Sequence, residues 1–165
     1  EPEIHFVHNA EVVVPDWASW RRERMPYPPE DQRFVVVPDW ICEVLSPSTK
    51  RKDRKIKLPL YAHYGVRYAS WIDPVKRTLE TYRLEAGAWI ETGRFADADQ
   101  VVAPPFEAVN LDLKILGYLG DQDLQALMAA WYAVSLHFAF VGDGFRGVPQ
   151  AVRNATEGVP YHKIM

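Results

Sequence analysis

The chain has 165 residues, 48% of them hydrophobic, which is enough for one ordinary domain with a real core and excludes a disordered polar chain. Its net charge of −3 excludes a bulk polycation, so any nucleic-acid surface has to come from local basic clustering. The single cysteine, Cys42, excludes a disulfide framework and a multi-thiolate zinc site, and the five histidines lack HExxH spacing.

In chain order, Val12 to Val14 reads as a short buried strand that ends at Pro15-Asp16. Trp17 to Pro29, rich in Arg, Trp and Pro, reads as a loop. Phe34 to Val37 and Ile41 to Ser46 read as strand, interrupted at Pro38-Asp39 because proline cannot donate to a ladder. Ser46-Pro-Ser-Thr49 is a turn with helix-cap chemistry, and Lys50 to Tyr64 reads as a helix closed by Gly65. Pro59 falls inside that stretch. Either the helix begins near Lys57 with Pro59 in its first turn, or it is kinked.

Tyr68 to Asp73 is a further strand, stopped by Pro74. Thr78 to Leu84 and Ala88 to Phe95 form a β-hairpin through Glu85-Ala-Gly87. Val101 to Ala103 and Val109 to Leu113 are short edge elements. The expected class is α/β (α+β), a mixed sheet flanked by helices. The division expected is residues 1–120 as one domain and 121–165 as an apolar helical tail. Leu124, Leu127, Met128, Trp131, Ser135 and Phe138 fall on one helical stripe of the segment Leu124 to Val141. A buried or dimer-interface helix is the expectation. Its 18 residues are borderline for a span and lack nearby Lys or Arg anchors, so a membrane role is the disfavoured alternative, beside a poorly ordered tail.

The chemistry concentrates around Glu43, a carboxylate inside the apolar strand Ile41 to Leu45. Such a group is costly unless paired or bound to a metal. Strand alternation puts Ile41, Glu43 and Leu45 on one face and Cys42, Val44 and Ser46 on the other. Asp39, four residues away on the same strand, would sit about 13 Å off, too far to share one ion. Asp16 belongs to another strand, and neighbouring strands lie about 5 Å apart, so Asp16 and Glu43 are the sensible pair. Two such carboxylates repel without a cation between them, and hard oxygen donors suit Mg²⁺ or Mn²⁺. The Val44 carbonyl is a candidate third ligand. A nearby lysine would orient or deprotonate the bound water.

The ordered set Val14-Pro-Asp16, Glu43-Val-Leu-Ser-Pro-Ser-Thr49, Asp53-x-x-x-Lys57, Tyr61-Ala62, Gly65-Val66 and Trp71-Ile-Asp73-Pro74 resembles the PD-(D/E)XK nuclease superfamily, and within it the Uma-type restriction endonucleases. The hairpin strand Leu79 to Leu84 continues the likeness, which runs from about Glu11 to Leu116. The resemblance implies a restriction-endonuclease-like fold and Mg²⁺-dependent (or Mn²⁺-dependent) hydrolysis of DNA phosphodiesters, with Asp16 and Glu43 as metal residues. The superfamily lysine would stand at position 45, which is Leu45 here, and Lys57 on the following helix matches the group's substitute. Asp53, four residues earlier, would orient the Lys57 amine. The group's N-terminal part, a helix and a strand hairpin before the PD strand, is absent or cut short.

The run Lys50, Arg51, Lys52, Arg54, Lys55 and Lys57 is either a solvated helix face or a phosphate-contact surface, and the two readings weigh evenly. Trp20, Arg21, Arg22 and Arg24 form a second basic-aromatic patch, a DNA-facing loop or a partner contact. Tyr61 and Trp71 read as core. The expected partner is DNA, with a homodimer as a further possibility, no organic cofactor, no membrane, and a cytoplasmic setting. The rivals are a catalytically inactive nuclease-like module that binds DNA or protein, and a structural or membrane-associated protein built on Leu124 to Val141.

Overall fold

The computed structural model describes residues 2–7, 10–27, 29, 33–46, 53–96, 100–107, 111–112 and 138–142; of Asp53 and of 111–112 and 138–142 it gives the backbone only. Its centre is a six-stranded mixed sheet built on β5 (Trp40–Val44), β6 (Tyr68–Asp73) and the hairpin β7 (Thr78–Glu85) and β8 (Ala88–Ala96). β3 (Trp17–Arg21) and β11 (Phe138–Gly142) complete it in the order β11-β3-β5-β6-β7-β8. β5 and β6 run parallel, with Glu43 beside Trp71, and the other pairs are antiparallel. A parallel pair needs a crossover. Here it contains a π-helical turn, Asp53–Lys57, that runs directly into the six-residue helix α1 (Leu58–His63).

A three-stranded sheet, β2-β1-β4, is formed by β1 (Glu3–Val7), β2 (Glu11–Val13) and β4 (Arg33–Phe34). β9 (Gln100–Val101) and β10 (Leu111–Asp112) pair as a two-stranded ribbon. The core lies on the Glu43 side of the large sheet, where Ala18, Trp20, Ile41, Leu45, Ala69 and Trp71 meet Ile4, Val13 and Phe34 of the small sheet and Tyr61 of α1. Phe6 of β1 stacks on Tyr64 at 4.4 Å and meets Tyr61 edge-on at 6.2 Å, which closes the small sheet onto the helix. The opposite face is covered in part by Phe106, edge-on to Trp40 at 5.1 Å.

Several expectations change here. The flanking helices reduce, among the described residues, to α1 alone, and the described fold is mostly β. Trp17 to Pro29 does not begin as a loop: Trp17 to Arg21 is a strand between two partners, with Trp17, Ala18, Ser19 and Trp20 all buried. A strand covered on both faces loses the polar alternation that marks half-buried ones. Phe34 to Val37 is strand only at Arg33–Phe34. The Val36 carbonyl takes the Trp20 indole N–H at 2.7 Å instead of joining a ladder.

The helix expected over Lys50 to Tyr64 has its α-helical part only from Leu58, with Pro59 in the first turn and Gly65 at φ +77° after its end. The wide π turn precedes it, and residues 47–52 lie outside the described set. The apolar helix expected over Leu124 to Val141 is overturned at its C-terminal end. Phe138–Gly142 is a strand antiparallel to β3, because aromatic and β-branched residues suit the open edge that β3 offers. Residues 124–137 lie outside the described set. No described helix is long and apolar enough to cross a membrane. A strand hairpin, β1–β2, stands before Asp16.

Candidate active site

Asp16 occupies the bend between β2 and β3, one residue before Trp17, which pairs with Cys42. That register brings Asp16 alongside Glu43. Its Oδ2 accepts the Val44 N–H at 2.7 Å, which fixes the carboxylate to the end of β5. Glu43 itself is 2% exposed and points to the core face. Lys57, the last residue of the π turn, donates to Glu43 Oε1 and Oε2 at 2.9 and 2.8 Å and to the Val14 carbonyl at 3.0 Å. The structure therefore brings Asp16, Glu43 and Lys57 together, with Lys57 reaching the Glu43 carboxylate from the π turn. Leu45 is buried in the core.

Tyr61 completes the arrangement, and the sequence reading missed it. Its hydroxyl donates to Glu43 Oε1 at 2.7 Å. The spacing carries the signal: Tyr61 is four residues after Lys57, so both lie on one helix face and close on the same carboxylate. Its aromatic ring also fills the core, so the core reading captured only half of its role.

Burial pushes the Glu43 carboxyl up to about 7. Lys57, by charge and hydrogen bond, and the Tyr61 hydroxyl pull in the other direction, while the Asp16 charge adds to the rise. The register of β3 with β5 is what makes the two carboxylates neighbours. Cys42, on the opposite strand face, is a free and buried thiol whose proton is held well above the ordinary range by burial and then by Asp16 and Glu43. It is a packed apolar side chain, not a nucleophile.

The remaining sequence candidates divide. Val44 meets Asp16 through its N–H. Asp53 begins the π turn, and its orienting role falls on a side chain outside the described set. Lys50, Arg51 and Lys52 also lie outside it. Lys55 is exposed, whereas Arg54 turns to the sheet and meets Glu80 Oε2 at 2.5 Å. The Trp20 patch is not a DNA-facing loop at its aromatic end, since Trp20 is fully buried and stacked on Phe34 at 4.7 Å. Asp39 is structural: buried, it accepts the Arg21 N–H at 2.9 Å and ion-pairs with Arg24 at 2.8 Å.

For a hard divalent cation the site would present a small donor set. It offers two carboxylates, and among the described residues no group of three or more His, Cys, Asp or Glu side chains gathers anywhere. Mg²⁺ retains several waters and is commonly held by one or two carboxylates plus substrate oxygens. A soft or all-protein metal cage would need more ligands than these.

The sequence profile of the Uma2 family, described as "Putative restriction endonuclease", matches residues 2–115. The fold is similar to the crystal structure of a protein from Anabaena variabilis described as a putative nuclease belonging to DUF820. The TM-score is 0.51 and the identity 26%, over 64% of this chain and 59% of that one. The chain thus spans somewhat under two thirds of the length of that relative. No curated protein matches the chain.

Proposed function

Since the chain belongs to the Uma2 family, we propose that it is a divalent-metal-dependent nuclease that hydrolyses DNA phosphodiesters, with Asp16 and Glu43 holding Mg²⁺ or Mn²⁺ and Lys57 serving the attacking water. The single observation that carries the reading is Lys57 Nζ within 3 Å of both Glu43 oxygens, beside Asp16. A bound Mg²⁺ would supply acidity to a coordinated water and charge neutralisation to the phosphate.

The chain's own residues do the rest. Val44 N–H fixes Asp16, and Tyr61 fixes Glu43, so neither carboxylate has to reorganise as substrate arrives. Lys57 is a three-proton donor whose bonds to Glu43 and to the Val14 carbonyl hold its ammonium at the carboxylate pair. From there its charge offsets anionic charge on the phosphate oxygens, and releasing one of the two Glu43 bonds frees an N–H to orient a water. The buried apolar surround keeps bulk water from screening these charges. Lys55, in the same turn, is exposed and is available for contact with the nucleic-acid backbone.

The test is nicking of supercoiled plasmid with Mg²⁺ or Mn²⁺, against EDTA, Asp16→Asn and Glu43→Gln, with Mn²⁺ binding measured alongside. Each variant is expected to lose cleavage by roughly a hundredfold or more and to bind Mn²⁺ more weakly. Unchanged cleavage and metal binding in both variants would remove the assignment. A folded protein that binds Mn²⁺ and DNA without cutting would instead be the nuclease-like binding module.

A further inference from the structure

Glu80 is another acidic side chain buried on the sheet, and the site described above does not use it. It is 6% exposed and sits on β7 opposite Trp71, which is itself opposite Glu43 on β5. Residues paired across a sheet share a face, so Glu43, Trp71 and Glu80 form one row beneath the π turn. The two carboxylates are thus two strand spacings apart, about 10 Å. Glu80 accepts Arg54 at 2.5 Å, the Tyr82 hydroxyl at 2.7 Å and Arg94 at 2.8 Å.

Arg54 and Lys57 are three residues apart in the same π turn. A turn closed by i→i+5 bonds is wider than an α turn, so side chains three apart splay further. One cation lands on Glu43 and the other on Glu80. Burying a carboxylate such as Glu80 without need is expensive, and three donors converge to satisfy it. Arg94 and Tyr82 come from the hairpin itself, whereas Arg54 comes from the element that carries Lys57.

We propose that Glu80 and Arg54 are positioning residues: their ion pair clamps the π turn to β7 and so sets the place at which Lys57 meets Glu43. Neither residue touches the reacting atoms, and both act through Lys57. The inference rests on Lys57 being the site lysine of the proposed nuclease. It explains why the second cation of the turn is spent on the sheet instead of facing solvent with Lys55.

The test compares the full chain with Arg54→Met, Glu80→Gln and the double variant, without metal. The readout is acylation of Lys57 by an amine-reactive ester, followed by mass spectrometry, with the exposed Lys76 as internal control. Arg54→Met leaves Glu80 its Tyr82 and Arg94 bonds, so this variant keeps the carboxylate satisfied if Glu80→Gln folds poorly. Lys57 is expected to react about tenfold faster in each single variant, with Lys76 unchanged and the double no faster than either single. On cleavage, Arg54→Met is expected to lower kcat in the parent and to have no further effect in a Lys57→Met background. Unchanged Lys57 reactivity overturns the clamp, and so does a parallel rise at Lys76, which would mean general loosening. A chain that cuts nothing while Lys57 reactivity responds as stated would sink the nuclease reading and leave the clamp standing.

Discussion

Glu43 sits in an environment that favours its protonated form. Burial raises its carboxyl to about 7 against the help of Lys57 and Tyr61, and Asp16 adds to the rise. The folded chain therefore holds this proton more tightly than the unfolded chain does. The stability it contributes is fully present below about pH 4.5, the ordinary value for the group, and is lost as the pH climbs through about 7. Glu80 behaves in the opposite sense. Burial raises its carboxyl, but the hydrogen bonds from Tyr82 and Arg54 and the charges of Arg54 and Arg94 outweigh that and hold it below the ordinary range. Its contribution is present above the ordinary value and is lost in acid. In EDTA, Glu43→Gln is accordingly expected to be more stable than the parent at pH 8, by about 1–3 kcal/mol, with the gap closing toward pH 5. Urea unfolding at the two pH values measures this. A gap that does not depend on pH would show that Glu43 ionises in the folded chain as it does in the unfolded one. At this scale the juxtaposition of Asp16, Glu43 and Lys57 was legible from strand alternation and the ordered motif set. Tyr61 and Glu80 were not. An aromatic ring in a core position hides its hydroxyl, and a carboxylate in a hairpin strand looks solvent-facing until its cross-sheet partners are known.

Elements were legible where strand-forming residues are bounded by turn residues. β6 ends at Asp73, just before Pro74, and the β7–β8 hairpin turns at Ala86-Gly87, where the glycine marks the turn. β3 was illegible because two tryptophans, an alanine, a serine and an arginine carry no alternation when both faces are covered. The end of the apolar tail was illegible because a short apolar run with aromatic residues satisfies either period. The hairpin turn also carries a local conflict. Ala86 has φ +48° and Gly87 φ +80°, so both central residues are left-handed, a type I′ pattern. Glycine adopts this freely, whereas alanine is strained there. Ala86→Asn, which yields the favoured Asn-Gly pair, is expected to stabilise the fold by about 0.5–1 kcal/mol without altering cleavage. Thermal unfolding decides it, and an unchanged or lower midpoint would mean that the turn relaxes away from this geometry.

The molecule as a whole is organised by pairings that no local pattern announces. β1 lies parallel to β4 across some thirty residues of chain, and β11 lies beside β3 across more than a hundred. The second pairing bears directly on the site. β3 starts at the residue after Asp16, and its register with β5 is what sets Asp16 beside Glu43. β11 covers the other side of β3, from Arg21 opposite Phe138 to Trp17 opposite Gly142. Without β11, the β3 backbone N–H and C=O groups on that side have no ladder, and an open, apolar edge is a template for another chain. A chain ending at residue 120 is therefore expected to self-associate, and its β3 amides that face β11 are expected to lose hydrogen-exchange protection. Analytical ultracentrifugation with exchange mass spectrometry on the Trp17–Arg21 segment measures both. Mn²⁺ affinity should fall along with β3 protection, since the Asp16 bend is tied to that strand. A truncated chain that stays monomeric, with β3 protected and Mn²⁺ binding intact, would mean that β3 needs β5 alone, and that residues 138–142 contribute nothing to the position of Asp16.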